Sequence, residues 1–347
     1  MAAHTKPAPP PLRPIACEAQ TLAGGLALHR VLAPDAQALV AALHELVGNK
    51  ASKPRYPGPN PVSLERAALQ GIAPERYWVC EKTDGVRYLL MCTTFRGHRV
   101  VVLFDRKLAA YLAPLRNVPR ALFQGTVVDG EVAFDKVSRR WTYLMFDALM
   151  LSGVPVFHKN FSWRLADAAL AWRAYTPQPE VDAVVVKIKA FHSLTTLRGF
   201  VDRLDAVQAH FAVDGLVLTP EDGDVVYGRH GGMFKFKPFG GAAAHTVDFL
   251  VRNRAGEVAL LIFDNGAHVP AGRLVTHGGP DAHYPDAHYP DGTVLECRLV
   301  DEAAGTWTAV GVRTDKATAN DKFTLSKTLL NIRENLTVHD VAAALRV

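Results

Sequence analysis

Between Tyr77 and Leu149, the sequence is a succession of short β-rich runs separated by glycine, aspartate and asparagine turns. Runs of this length and composition predict strands, and the short turns between them predict antiparallel pairing. Apolar residues at helical spacing appear at 34–48 and 162–174, and a further helix is predicted within 194–211. The pattern therefore predicts an α+β fold in which helices pack on antiparallel sheets.

The strand pattern is interrupted at Gly240 and Gly241, which follow Pro238 and precede three alanines. Beyond this point, short strand-like runs fill a segment whose size suits a small barrel such as an OB-fold. We predict a disordered leader at 1–20, a large domain at 21–240, an OB-fold domain at 241–320 and a helical tail at 321–347. The tail is expected to pack back on the large domain, and a hinge is expected near 239–243.

Composition excludes several classes of protein. The chain of 347 residues is 49% hydrophobic and 21% charged, with a formal net charge of +5, as expected of a globular protein with a sizeable core. No apolar run reaches the roughly 18 residues of a membrane span. The four cysteines match neither a zinc site nor a disulfide framework. These features favour an intracellular protein with reduced thiols that is not secreted and does not enter a membrane, and we expect a monomer.

Charged residues recur among apolar neighbours at predicted strands. Lys235 and Lys237 are two positions apart, so they share one face of a strand. Lysines gathered in a cleft bind phosphate oxygens and lower the pKa of a neighbouring lysine, which then acts as a nucleophile. Glu131 and Asp214 would neutralise this cluster and hold Mg²⁺. Phe146 and Leu216 would enclose a purine, so the residues predict a nucleotide site with a lysine nucleophile and a divalent metal.

This set resembles the covalent nucleotidyltransferase superfamily, which contains polynucleotide ligases and mRNA capping enzymes. Four segments are similar to motifs of the capping branch: Lys82–Gly85, Val213–Leu216 with Thr219 and Pro220, Phe234–Pro238, and Arg313–Lys316 with Asn320. Segments at 57–63, 226–229 and 327–332 resemble the compact guanylyltransferases of large algal DNA viruses. The resemblance covers residues 20–345, almost the whole chain.

The resemblance implies an mRNA guanylyltransferase that uses GTP. Lys82 would attack the α-phosphate of GTP, become lysyl-N-GMP and release pyrophosphate. The 5′-diphosphate end of RNA would then take the GMP and form the cap. Mg²⁺ or Mn²⁺ would be the metal, held by Glu131 and Asp214. If the source is viral, the enzyme would act in the nucleus or cytoplasm of the host cell.

The resemblance also assigns roles to the other residues. They are Arg87 and Glu131 at the ribose, Arg106 at a phosphate or the ribose, Phe146 on guanine, Lys235 and Lys237 at the α-phosphate, Arg313, Asp315 and Lys316 at the β- and γ-phosphates, and Lys187 or Lys189 at guanine O6.

Two alternatives remain open. An ATP-dependent DNA or RNA ligase would share the lysine chemistry and the barrel, and a non-catalytic RNA-binding protein would keep only the fold. The sequence contains neither C-x₅-R nor E-x-E, which RNA triphosphatases use, and no glycine-rich motif for a methyl donor is evident. We therefore expect a separate RNA triphosphatase and a separate cap methyltransferase as partners.

Overall fold

The computed structural model describes residues 14–49, 55–241, 245–254, 257–275, 289–314 and 316–347. The chain forms two compact units. The first unit contains residues up to 62, 73–213 and 217–234, and the second unit contains 63–72, 214–216 and 235–347.

The strands, in chain order, are β1 (Cys17–Thr21), β2 (Ala27–Val31), β3 (Pro59–Ser63), β4 (Tyr77–Thr83), β5 (Val86–Phe95), β6 (His98–Phe104), β7 (Ala110–Leu112), β8 (Thr126–Asp135), β9 (Arg140–Leu151), β10 (Val154–Pro155), β11 (Val185–Ile188), β12 (His192–Ser193), β13 (Val213–Pro220), β14 (Gly228–Phe236), β15 (Thr246–Arg254), β16 (Glu257–Asp264), β17 (Ala267–Leu274), β18 (Val294–Asp301) and β19 (Thr306–Val312). The α-helices are α1 (Asp35–Leu46), α2 (Phe161–Trp172), α3 (Leu197–Val201), α4 (Leu204–His210), α5 (Lys322–Glu334) and α6 (Val338–Leu345).

The first sheet has the strand order β1-β2-β7-β6-β5-β8-β9-β10, and β11 lies parallel to β9. Its central strand β5 is apolar on both faces, because Leu90 and Cys92 pack with α2 while Leu89 and Met91 pack with α1. A strand that is buried on both faces reads as a continuous apolar run rather than an alternating one. This explains the uninterrupted run at 88–92.

The second sheet has the strand order β12-β4-β13-β14-β3. Its strand β4 carries the segment that contains Lys82, and it pairs with β12 through Val79 and His192. The sheet therefore holds this segment between two strands, β12 and β13, that come more than a hundred residues later in the chain.

The second unit contains a closed barrel whose strands follow the order β15-β16-β17-β19-β18 among the described residues. Its interior is filled by alternate residues of these strands, and the rings of Phe249 and Trp307 pack edge to face at 4.8 Å between centroids. The helix α5 begins at Asp321, whose side chain accepts a hydrogen bond from the Thr324 amide. A side-chain oxygen at this position satisfies one of the amides that a helix start leaves unpaired.

The predicted α+β architecture, its antiparallel sheets and the C-terminal barrel agree with the observed elements. Residues 194–211 form two short helices, α3 and α4, where one helix was predicted. Because Cys17–Thr21 pairs with β2, ordered structure begins inside the segment that was expected to be a disordered leader. None of the described helices is long and apolar enough to cross a membrane.

The two units divide elsewhere than the sequence suggested. Strand β14 continues to Phe236, and the Lys235 carbonyl accepts a hydrogen bond from the Leu64 amide at 2.9 Å. Lys235 and Lys237 therefore belong to the second unit rather than to a large domain that ends at 240. The tail lies in the second unit as well, where α6 contacts residues 66–71. Part of the expected hinge, 242–243, is outside the described residues.

Gly130 lies where its strand passes close to β9. A Cβ atom there would lie 2.5 Å from Cζ of Tyr143 and 2.7 Å from the Leu144 carbonyl. The Tyr143 ring has little freedom to move, because it is buried and its hydroxyl donates to the Val128 carbonyl at 2.9 Å. We predict that Gly130→Ala lowers the free energy of unfolding by about 1–3 kcal/mol, as overpacking does. Urea denaturation of both proteins measures the difference.

Gly231→Ala is the matched control, since Gly231 is also in a strand and a Cβ atom there meets nothing described within 4 Å. An equal loss of stability in the two variants would contradict the packing explanation.

Candidate active site

Lys82 is the half-exposed residue at the end of β4, between buried Glu81 and buried Thr83. Because successive side chains of a strand point to opposite faces, Lys82 points away from the side on which its two neighbours are buried. The following turn is fixed, since the Asp84 amide donates to the Ala212 carbonyl at 2.8 Å. A Cβ atom at Gly85 would lie 2.8 Å from the Val132 carbonyl, so this turn requires glycine.

Arg87 is held in place by a buried carboxylate. It donates from Nε to Asp129 Oδ1 at 2.9 Å and from a terminal nitrogen to Oδ2 at 2.5 Å, and it also donates to the Pro59 carbonyl at 2.6 Å. Desolvation is the largest influence and opposes the charged form, but the charge and hydrogen bonds of Asp129, together with smaller contributions from Tyr56 and Tyr143, outweigh it and raise the pKa of Arg87. The guanidinium is therefore a fixed cation. Gly58 is required beside it, because a Cβ atom there would lie 2.5 Å from Arg87.

A second buried ion pair lies directly across the sheet from the first. Asp129 and Asp147 are opposite each other on β8 and β9, and each is almost without solvent exposure. Arg164 donates to Asp147 at 2.7 and 3.0 Å. Burial raises the pKa of Asp147, Arg164 lowers it, and the nearby charge of Asp129 raises it further.

Phe146 lies at a β-bulge. The register of β8 and β9 shifts between Asp129 and Gly130, which pair with Asp147 and Met145, so Phe146 has no partner across the ladder. A bulge commonly turns a side chain in a new direction. Phe146 is half-exposed between two buried neighbours, and the Arg87 guanidinium lies 5.5 Å from its ring centroid.

Glu131 is paired with a lysine that the sequence proposed only as an alternative. Lys189 Nζ lies 2.7 Å from Glu131 Oε1 and donates to the Glu81 carbonyl at 2.9 Å. Burial is the largest influence and would lower the pKa of Lys189, but the charge and hydrogen bond of Glu131 and the charges of Cys80 and Glu81 together outweigh it and raise this pKa. Lys187 instead lies 3.3 Å from Asp135 and is half-exposed. The structure therefore brings Lys189, not Lys187, to the site carboxylate.

Spacing could not separate these two lysines, because residues two apart in a strand share a face. What separates them is the position of their partners on β4 and β8. Arg106, which follows β6, lies in the same region as Arg87. Partial desolvation and then the charge of Arg87 lower the pKa of Arg106.

The second unit contains a cavity of about 310 Å³ lined by basic side chains. They are Lys235, Lys237, His245, Arg313 and Lys316. Lys237 Nζ lies 3.0 Å from Asp214 Oδ2. Burial and then the charges of Lys237 and Lys235 lower the pKa of His245, so its imidazole favours the neutral form. The cavity also contains the carboxylates Asp248, Glu296 and Glu334 in its lining, and its cations suit phosphate groups.

The carboxylate that orients Arg313 and Lys316 was missed from the sequence. Asp248 is buried on β15, and it accepts a hydrogen bond from Arg313 at 3.1 Å and forms an ion pair with Lys316. A single aspartate inside the apolar run at 247–251 is a signal that sequence reasoning could have used, because charged residues are rarely buried without a partner. Asp315, which was expected at the same phosphates as Arg313 and Lys316, lies outside the described residues.

One predicted residue is not accessible. Leu216 has no solvent-exposed surface, so its side chain faces no open cleft in this structure. Its contact with a base stays a prediction.

The described residues contain no group of three or more His, Cys, Asp or Glu side chains that could hold a metal by themselves. The two carboxylates that were assigned to a metal, Glu131 and Asp214, each form an ion pair with a lysine.

A half-exposed lysine at a strand end and a fixed arginine beside an aromatic ring in the first unit, and a basic cavity in the second, are groups that suit the chemistry of a nucleotidyltransferase. The model of the family "mRNA capping enzyme, catalytic domain" matches residues 27–239. The chain belongs to this family, whose activity is that of a guanylyltransferase.

Relatives align with almost the whole chain. The mRNA-capping enzyme subunit alpha of Schizosaccharomyces pombe is 27% identical over 90% of this chain and 85% of its own length. The mRNA-capping enzyme of Caenorhabditis elegans is 26% identical over 86% of this chain and 51% of its own length. Among solved structures, mycobacterial DNA ligase D complexed with ATP and MES is similar at a TM-score of 0.42, with 16% identity over 74% of this chain and 94% of that one.

Lys189, which lies between Glu81 and Glu131, allows a test of how much a buried ion pair stabilises the first unit. We predict that Lys189→Met lowers the free energy of unfolding by about 3 kcal/mol or more at pH 7, because it leaves two carboxylates without their buried cation. Thermal and urea unfolding measure the loss.

Lys187→Met is the matched control, since this half-exposed lysine has one carboxylate partner that also binds His210. A loss below about 1 kcal/mol is expected there, the usual range for exposed pairs. Equal losses in the two variants would contradict the assignment of Lys189.

Proposed function

We propose that Lys82 is the nucleophile of a two-step GMP transfer. The observation that carries this proposal is the placement of Lys82, half-exposed between two buried neighbours on a strand end that a required glycine follows. Its neutral amine attacks the α-phosphorus of GTP, a P–N bond forms, and the bond to the β-phosphate oxygen breaks. Nζ loses a proton and pyrophosphate leaves, so the GMP stays on the enzyme.

In the second step, the terminal phosphate of a 5′-diphosphate RNA end attacks the same phosphorus. The P–N bond breaks, its electron pair returns to Nζ, and a proton restores the lysine. The product is a 5′–5′ triphosphate cap on RNA. Holding both reactants on the protein turns each step into an effectively unimolecular one, which lowers the barrier.

Residues of the first unit would bind the nucleoside. Phe146 would stack on guanine and Arg87 would contact the ribose, and the proximity of the fixed Arg87 guanidinium to the Phe146 ring supports this pairing of roles. Glu131 lies opposite Arg87 on the neighbouring strand, and Lys189 holds its carboxylate in position. Arg106 supplies a further positive charge near Arg87. Contact of Lys187 or Lys189 with guanine O6 remains part of the proposal.

Residues of the second unit would bind the phosphates. Lys235 and Lys237 stabilise the charge that develops at the α-phosphate, and Asp214 keeps Lys237 in place. Arg313 and Lys316, both held by Asp248, take the β- and γ-phosphates. Asp315 would assist them. Fixed cations directed at developing charge are an effective source of transition-state stabilisation.

A divalent metal ion, Mg²⁺ or Mn²⁺, would be held by Glu131 and Asp214. When bound, it would neutralise negative charge on the triphosphate.

Further parts of the proposal rest on the sequence resemblance. The barrel would be an OB-fold, and the chain would act as an intracellular monomer similar to the compact enzymes of algal DNA viruses. Removal of the γ-phosphate from RNA and methylation of the cap would be performed by separate proteins.

The decisive experiment is covalent labelling with α-³²P nucleotides in the presence of Mg²⁺. We predict a labelled protein band with GTP, and its complete loss in Lys82→Ala, because alanine offers no nucleophile. Lys107→Ala, at an exposed position just after Arg106, is the control and should keep the label.

The same assay tests the alternative function. A band from ATP but not from GTP would favour the polynucleotide ligase and overturn the guanylyltransferase assignment. A band that persists in Lys82→Ala would place the nucleophile at another residue.

A further inference from the structure

The basic cavity of the second unit is lined on one side by a strongly charged group of residues and on the other side by α5. The charged side carries the cations Lys235, Lys237, Arg313 and Lys316 with the carboxylates Asp248 and Glu296, and Glu334 belongs to the α5 side. The α5 residues that line it include Thr324 and Thr328, which are half-exposed. Because residues four apart lie on the same helix face, both hydroxyl groups are presented on the side that faces the cavity.

The helix α5 is firmly attached within this unit. The Thr324 amide donates a hydrogen bond to the Asp321 side chain at the helix start. The Asn331 side chain donates to the Leu64 carbonyl at 3.2 Å. Near the other end, Glu334 accepts from the Arg66 amide at 2.7 Å. The two threonine hydroxyls are therefore held on a rigid element, which is a requirement for selective hydrogen bonding to a ligand.

The two sides of the cavity suit different parts of one ligand. Lysine and arginine bind phosphate oxygens. Threonine hydroxyls both donate and accept hydrogen bonds without adding charge, which suits the hydroxyl groups of a sugar. A cavity of about 310 Å³ is at the lower end of the usual size for small-molecule sites.

The chemistry of the proposed reaction identifies that ligand. Pyrophosphate leaves the α-phosphorus in the first step, and the RNA diphosphate attacks the same phosphorus in the second. The leaving pyrophosphate and the attacking RNA end are both diphosphates, and both lie on the side of the α-phosphorus opposite the lysine nitrogen. Cations that bind the pyrophosphate are therefore also suited to the RNA diphosphate. The RNA differs because a ribose follows its diphosphate directly.

We propose that this cavity is the acceptor site for the 5′ end of RNA. The cations take the diphosphate, and Thr324 and Thr328 bind ribose hydroxyls of the first nucleotides, which selects RNA over DNA. This inference rests on the proposed function and adds to it the part of the chain that recognises the acceptor. The 2′-hydroxyl is the group by which proteins distinguish RNA from DNA.

The test follows the second step alone. Enzyme that carries labelled GMP is purified and mixed with a 5′-diphosphate RNA, or with the same oligonucleotide carrying 2′-deoxyribose in its first two nucleotides. The parent enzyme is expected to transfer GMP to the RNA about 5- to 10-fold faster, the effect of one or two hydrogen bonds. The double variant Thr324→Val/Thr328→Val, which keeps side-chain shape, is expected to transfer to both at the slower rate.

Ser326→Ala is the control, because Ser326 is exposed on the same helix and donates to the Lys322 carbonyl. It should keep the preference of the parent. The yield of GMP-enzyme from GTP reports whether each variant is folded.

Equal rates for the two oligonucleotides with the parent enzyme, or an unchanged preference in the double variant, would overturn the acceptor site. Neither result would affect the formation of GMP-enzyme. Failure of the parent to form GMP-enzyme from GTP would instead overturn the proposed function itself, so the two failures are distinguishable.

Discussion

Two buried carboxylates face each other across the centre of the first sheet, and each is neutralised by its own arginine. Asp129 binds Arg87, and Asp147 binds Arg164. Burying a charge is costly unless it is paired, and loss of one partner from such a pair costs about 3–5 kcal/mol. Because Arg87 also donates to the Pro59 carbonyl, the pairs connect β5, β8, β9 and the segment before β4. The positions of Arg87 and Phe146, which we propose for the nucleoside, depend on this arrangement.

Charge is distributed differently in the two units. The first unit pairs nearly every buried charge, so its cations serve as fixed supports for neighbouring groups. The second unit collects cations around a cavity, with Asp214 and Asp248 holding three of them. The net charge of +5 gives no sign of this, because the clustering is local. Oriented cations cost little reorganisation when a phosphate arrives, which is the basis of electrostatic catalysis.

Much of the site could be predicted from the sequence because its motifs are short and local. The turn at Gly85, the alternation of Lys235 and Lys237, and the carboxylate at 131 each follow from neighbouring residues. Partners that come from distant strands could not be predicted. The choice of Lys189 over Lys187 depends on Glu81. The role of Asp248 depends on Arg313 and Lys316, which come 65 and 68 positions later in the chain. The unit boundary was also missed, because the residues after Phe234 belong with the second unit, where the Lys235 carbonyl accepts a hydrogen bond from Leu64, while the glycines at 240 and 241 come later in the chain.

The bulge at Phe146 has a consequence for how such a site can change. Phe146 has no partner in the ladder, while the buried pair Asp129 and Asp147 on one side of the shift and the pair Gly130 and Met145 on the other keep the strands in register. A different side chain at position 146 therefore alters what the surface offers a flat ligand without disturbing the sheet. The fold thus confines this variation to the side chain at position 146. The paired residues beside the bulge, which keep the strands in register, stay unchanged.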